Sequence, residues 1–192
     1  MKTEYEATFL NINRGIITKK LQEIGATLER PEYMQRRITL ELPPGKRNGN
    51  TWLRVRDEGD KVTLTLKSVD GKTIVGQKEI LVVVDDFNSV VDLLESIGCE
   101  KKSYQESKRE LWKLKSVEIA IDTWPFLETY IEVEGTSEQE VKETVVRLEL
   151  NYREAIFDSV DEIYKRKYGK TIDDLSKAIK NNFTFSIENP FL

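Results

Sequence analysis

No histidine occurs in the 192 residues, and cysteine occurs once, as Cys99. The missing imidazole rules out Ser–His–Asp and Cys–His nucleophilic machinery, histidine general bases and histidine zinc ligands. A lone cysteine excludes an intramolecular disulfide, is expected as a small buried hydrophobe and fits a reducing compartment, so a cytoplasmic location is expected. Apolar runs are short: none approaches the ~20 residues of a membrane helix, and charge begins at Lys2, so neither a signal peptide nor a membrane partner is expected. The net charge of −4 argues against general affinity for nucleic acid. Charge itself is plentiful, at 33% of residues beside 39% hydrophobic ones, a globular balance in a chain long enough to bury a sizeable core. With no histidine and one thiol, any metal must be held mainly by carboxylates, which points to magnesium, manganese or calcium.

The charges are patterned. In Glu4-Tyr5-Glu6-Ala7-Thr8-Phe9 the alternation of a strand puts Glu4, Glu6 and Thr8 on one face and Tyr5, Ala7 and Phe9 on the other. Two carboxylates so placed repel each other unless a cation sits between them, and a hard divalent cation prefers oxygen ligands. Residues 12–24 have helical spacing, with Asn11 or Asn13 as cap and Gly25 as stop. Residues 26–42 read as extended and 43–50 as a loop. Residues 52–56 and 61–67 alternate and, joined by Asp57-Glu58-Gly59-Asp60, form a hairpin. A strand at 77–84 and a helix at 86–97 follow, then strands at 107–114, 117–122 and 129–134 and a helix at 138–148. Short helices at 160–168 and 172–179 and an aromatic tail over 183–192 complete the chain.

On several strands the charges fall on one face: Glu4 with Glu6, Arg54 with Arg56, Lys67 with its threonines, Glu118 with Asp122, and Glu132 with Glu134. The opposite faces are apolar, and the amphipathic helices need an apolar surface to cover. Periodicity alone leaves two architectures open. One is a closed or nearly closed barrel, clad by helices around a hydrophilic lumen; the other is a sandwich with its charged faces in water. A lumen lined by arginines and carboxylates would suit a polyanion plus metal, the cations taking phosphate oxygens and the carboxylates holding the ion.

The ordered set of motifs resembles the CYTH domain, the family of class IV adenylyl cyclases and thiamine or inorganic triphosphatases also called triphosphate tunnel metalloenzymes. Its N-terminal ExExK is similar to Glu4-Tyr5-Glu6-Ala7-Thr8, and its LRxR and LTxK match Leu53-Arg54-Val55-Arg56 and Leu64-Thr65-Leu66-Lys67. Its KxR, acidic strand and terminal ExE correspond to Ser107-Lys108-Arg109, residues 117–122 and Glu132-Val133-Glu134. The resemblance implies an α+β fold, an eight-stranded antiparallel closed barrel over residues 1–150; residues 151–192 read from their own pattern as a helical extension packing on the same domain. It implies Glu4, Glu6, Glu132 and Glu134 as ligands of Mg2+ or Mn2+, and Arg37, Arg54, Arg56, Lys67 and Arg109 as phosphate ligands. Glu79 and Asp122 would complete the lining. Arg37 is preferred over Arg36 because it shares a face with Thr39 and Glu41. The implied partner is a triphosphate such as ATP or inorganic triphosphate, and tunnel proteins of this kind often form homodimers. Thr8 and Ser107 depart from the motifs, each standing where the family carries a basic residue, and threonine can supply neither charge nor base. Two functions therefore stand side by side: a metal-dependent triphosphatase or class IV adenylyl cyclase-like enzyme, and a catalytically weakened nucleotide- or polyphosphate-binding module.

Overall fold

A computed structural model, which describes residues 1–175 and 177–192, decides between barrel and sandwich. Its strands are β1 (Lys2–Phe9), β2 (Thr27–Glu41), β3 (Thr51–Asp57), β4 (Val62–Val69), β5 (Gln77–Val84), β6 (Glu100–Leu114), β7 (Val117–Thr123) and β8 (Tyr130–Gly135). They form a closed antiparallel barrel in the order β1-β5-β4-β3-β2-β6-β7-β8. Closure comes from β1, which meets β8 along Tyr5–Phe9 and β5 through Lys2–Glu4. A barrel removes most of the strand edges that a sheet this charged would otherwise expose.

Helices clad the wall where its outward face is apolar. The helices α1 (Arg14–Glu23) and α3 (Glu138–Arg147) contribute Ile17, Leu21, Val141 and Val145 to a core shared with Phe9, Ile119, Ile131 and Val133. The α2 helix (Phe87–Ser96) places Val91 and Leu94 against Ile38, Leu40 and Val55, and Cys99 is buried in the same cluster. Of the two candidate caps for α1, Asn13 is the one used, accepting the Ile16 N–H at 3.1 Å. Gly25 follows at φ 78°, a left-handed conformation that suits glycine. Among the described residues, no helix is long and apolar enough to cross a membrane.

Two elements differ from expectation. The strand expected at 107–114 begins at Glu100, because long antiparallel pairing with β2, from Glu41↔Glu100 to Thr27↔Lys113, holds a polar stretch extended. Its first residues, Glu100-Lys101-Lys102, carry no apolar alternation to announce a strand. The helix expected at 172–179 is instead a 3₁₀ turn, Ile172–Asp174, closed by a Thr171–Asp174 capping box, then an extended Leu175 and the short α5 (Lys177–Lys180). Ser176, within that expected helix, lies outside the described residues.

Residues 151–192 pack over the barrel end at which β7 finishes and β8 starts. Tyr164, on α4 (Val160–Tyr168), joins Phe183 and Phe191 in a cluster with Trp124 and Tyr130, and its hydroxyl donates to Pro125 O at 2.7 Å. The Phe183 N–H donates to Tyr104 O at 2.7 Å and its carbonyl accepts from Glu106 N–H at 3.0 Å, so the tail is pinned along β6. Phe183 is 0% exposed, and Phe183→Ala is expected to cost about 3–5 kcal/mol in urea unfolding. Phe185→Ala, at a ring 36% exposed, should cost well under half of that. Equal losses in the two variants would mean that the tail is not held by its buried ring.

Candidate functional site

Inward alternation brings the charged faces together. Across the strands the register sets Arg37 against Arg56, Arg54 against Thr65, Lys67 against Glu79, Arg109 against Asp122, and Glu118 against Glu134. One cavity of about 520 Å³ runs through the barrel. Every residue singled out from the sequence lines it: Glu4, Glu6, Arg37, Arg54, Arg56, Lys67, Glu79, Arg109, Asp122, Glu132 and Glu134. Arg37 is 7% exposed, whereas the Arg36 side chain points outward to Asp57 at 2.5 Å.

The lumen has two walls of opposite charge. On β2 and β3 stand Arg37, Arg54 and Arg56, whose buried Nε atoms find no hydrogen-bond partner among the described residues. Burial, and then the charge of Arg56, lowers Arg37 to about 9 and Arg54 to about 10. Both remain cations near neutral pH. Gln35 Oε1, at 2.7 Å, and the Ser107 hydroxyl hold Arg37 from one side, and the Trp124 ring centroid lies 4.4 Å from its Cζ. Three close guanidiniums with unused donors form a receptor for an anion with many oxygens.

The facing wall, on β1, β7 and β8, crowds carboxylates. Glu132 is pushed up to about 8 by burial and then by Glu6 and Asp122. Burial raises Glu6 to about 7, with Glu134 and Glu4 adding to it against the pull of Lys67. Glu134 is likewise raised to about 7 by burial and then by Glu4 and Glu118. Two cations stitch this wall. Lys67 Nζ lies 3.0 Å from Glu4 Oε2 and 3.9 Å from Glu79; burial raises Glu4, but Lys67 outweighs it and the net shift is downward. Arg109 grips Asp122 through two bonds of 2.8 and 2.5 Å and reaches Glu132 at 2.6 Å. It therefore stands among the carboxylates rather than with the other arginines.

The carboxylates offer an all-oxygen donor set of the kind magnesium and manganese accept. Glu6, Glu118, Glu132 and Glu134 line a further, partly open void of about 10 Å³ together with Arg109, Leu111 and Ala120, about the space of one water. As they stand, no three carboxylates among the described residues converge tightly enough to ligate one ion. The chemistry of the set fits a divalent cation, and its repulsion is what such a cation would relieve.

Several lining groups were not singled out from the sequence. Glu118 shares a face with Asp122, a signal present in the alternation but not pursued. Tyr130 had no separate signal. Asp158, Asp161 and Asp173 come from the C-terminal segment, and their arrival at the cavity follows from tertiary packing alone. Burial raises Asp161 to about 6 although its carboxylate accepts the Ile172 N–H at 2.9 Å. Thr8, in the motif-lysine position, is 2% exposed and pairs with Glu132 in register, while its backbone is bonded to Ile156 at 3.0 and 2.9 Å.

A closed antiparallel barrel with cationic and acidic walls facing across one polar lumen is the triphosphate tunnel fold. The CYTH domain model matches residues 43–165, more than half of the chain, and the protein belongs to that family. The match starts beyond β1, so Glu4 and Glu6 join the site through the structure. A candidate adenylate cyclase from Vibrio parahaemolyticus has the same fold, with a TM-score of 0.73, 13% identity, and coverage of 85% of this chain and 98% of that one. A Pyrococcus horikoshii protein, PH1012, gives a TM-score of 0.67 at 21% identity over 81% of this chain and 96% of that one. A candidate adenylyl cyclase from Hippeastrum, described as having a dominant triphosphatase activity, gives 0.53 at 14% identity, over 88% and 97%. No curated protein matches the chain in sequence.

Proposed function

We propose that the protein is a metal-dependent enzyme acting on triphosphates, and that hydrolysis is its principal reaction. The observation that carries this is that three arginines with unpartnered, buried Nε atoms face a crowded carboxylate wall across one lumen. Arg37, Arg54 and Arg56 would hold the phosphate oxygens and stabilise the charge spread over them during in-line displacement. Lys67, shared between Glu4 and Glu79, would approach the phosphate chain from the junction of the two walls. Glu4, Glu6, Glu132 and Glu134 would hold Mg2+ or Mn2+, which supplies charge neutralisation and orients the phosphates. Hydrolysis asks no more of the lumen than a held triphosphate and a water; cyclisation of ATP asks in addition for a site that fixes the nucleoside. The triphosphatase activity described for the Hippeastrum neighbour agrees with that order of preference.

The buried Thr8 favours a second reading, a module that binds triphosphate with little turnover. One experiment separates them: release of phosphate and of cyclic AMP from inorganic triphosphate and ATP, with magnesium and then manganese, for the wild type and Thr8→Lys. Phosphate release that needs the metal is the expected result, with more of it in Thr8→Lys. Metal-dependent binding without turnover in either protein would establish the binding module, and cyclic AMP as main product would replace the hydrolase by a cyclase. Absence of both binding and turnover would sink the triphosphate reading.

A further inference from the structure

Glu58 belongs to the Asp57-Glu58-Gly59-Asp60 turn between β3 and β4, where a carboxylate is expected to face water. It is instead 4% exposed. Its Oε1 lies 2.6 Å from Arg56 Nη2, off the line of a hydrogen bond and with no other partner among the described residues. Its Oε2 faces the Tyr33 hydroxyl at 3.5 Å, Lys61 Nζ at 3.6 Å and Arg30 Nη1 at 4.0 Å. The turn is locked from outside. Arg30 donates to Glu58 O at 2.6 Å and to Asp60 at 2.7 Å, stacking 3.5 Å above the Tyr33 ring, and the Glu58 N–H bonds Lys61 O at 3.0 Å. A buried anion therefore sits at the foot of the cationic wall, fixed by its own backbone and aimed at one of the three arginines. Among the described residues it is the only carboxylate paired with Arg56.

That placement matters because the three guanidiniums repel one another. After burial, Arg56 is the largest influence lowering both Arg37 and Arg54. We propose that Glu58 is the positioning residue of the cationic wall: its carboxylate anchors Arg56 beside the β3–β4 turn and presets the spacing of the three arginines that receive the triphosphate. The inference rests on the reading of the lumen as a triphosphate site.

A double-mutant cycle tests it, with KM for inorganic triphosphate in magnesium as readout and Kd by calorimetry beside it. Glu58→Gln keeps the shape and removes the charge; it should raise both constants about tenfold, the weight of one charge-assisted contact. In an Arg56→Ala background the same change should move them less than twofold, because the group Glu58 acts through is gone. Unfolding temperatures of all four proteins show whether a general loss of structure is responsible. Equal effects in both backgrounds, or no effect in the wild-type background, would overturn the inference while leaving the triphosphate site standing. A wild type that binds no triphosphate would overturn both, and the Arg56→Ala protein, then no worse than wild type, would show that the lumen reading had failed first.

Discussion

A Glu6→Gln/Glu132→Gln protein should be more stable than wild type without metal, and should have lost triphosphate turnover by at least a hundredfold. The stability gain follows from the crowding on the acidic wall. Glu6 is raised to about 7 and Glu132 to about 8, from an ordinary 4.5, each first by burial; Glu134 and Glu4 add repulsion at Glu6, and Glu6 and Asp122 add it at Glu132. A carboxyl group whose folded pKa lies above its unfolded one binds protons more tightly when folded, so stability falls as pH rises. The loss begins near pH 4.5, where the unfolded groups ionise, and is complete above about pH 8, where the folded ones have followed. The two carboxyls share one crowded wall, and a combined penalty on the order of 2–4 kcal/mol at pH 8.5 is expected. Glutamine carries no such penalty and can keep the contact of Glu6 Oε1 with Gln77 Nε2, which is 3.1 Å in the wild type. Thermal unfolding in a chelator at pH 5, 7 and 8.5 reads the effect. The wild-type midpoint should fall across that range and the variant's should fall less, and added magnesium should restore the wild type at high pH but not the variant. A variant that is less stable than wild type at pH 8.5 would mean that the carboxylates support the fold directly, and that the wall is structural.

Much of this site is legible in the sequence because a barrel lumen obeys the simplest rule of strands. Side chains two apart share a face, so Arg54 with Arg56 and Glu132 with Glu134 declare their wall before any fold is known. The same rule separates Arg37 from Arg36, and the structure places the first in the lumen and the second on the outside. Closure is a different matter. That β1 lies between β5 and β8 depends on twist and stagger accumulated around the whole sheet, which no local pattern encodes. Glu58 was hidden for a related reason: a turn glutamate looks solvated until β2 supplies Arg30 and Tyr33 to cover it. The first half of β6 was missed because its pairing with β2, not its own alternation, makes it a strand. Asp158, Asp161 and Asp173 reach the cavity only because the C-terminal segment folds back over the barrel end.

Arg54→Met should weaken binding of inorganic triphosphate by roughly 30- to 1,000-fold with no loss of fold stability, corresponding to about 2–4 kcal/mol for a buried charged contact. Arg54 shares a strand face with Arg56 and stands opposite Thr39 and Thr65 in register. Its buried Nε has no hydrogen-bond partner among the described residues, so in the free protein this half-buried cation is undersatisfied. Burial and the neighbouring Arg56 lower it to about 10 from 12.5, so it stays charged at neutral pH while the fold bears the penalty. Methionine fills similar volume and removes the charge, which explains why the fold should not suffer. Arg54→Lys should recover only part of the affinity, leaving about a tenfold deficit, because an ammonium offers a point charge where a guanidinium offers a planar pair of donors. Calorimetry with and without magnesium, together with urea unfolding of each protein, tests the pair of expectations. Full recovery in the lysine variant would show that Arg54 contributes charge alone. Unaltered binding in the methionine variant would remove this wall from the phosphate site. If instead the fold weakened in step with the affinity, the three guanidiniums would be structural, held by contacts stronger than their repulsion.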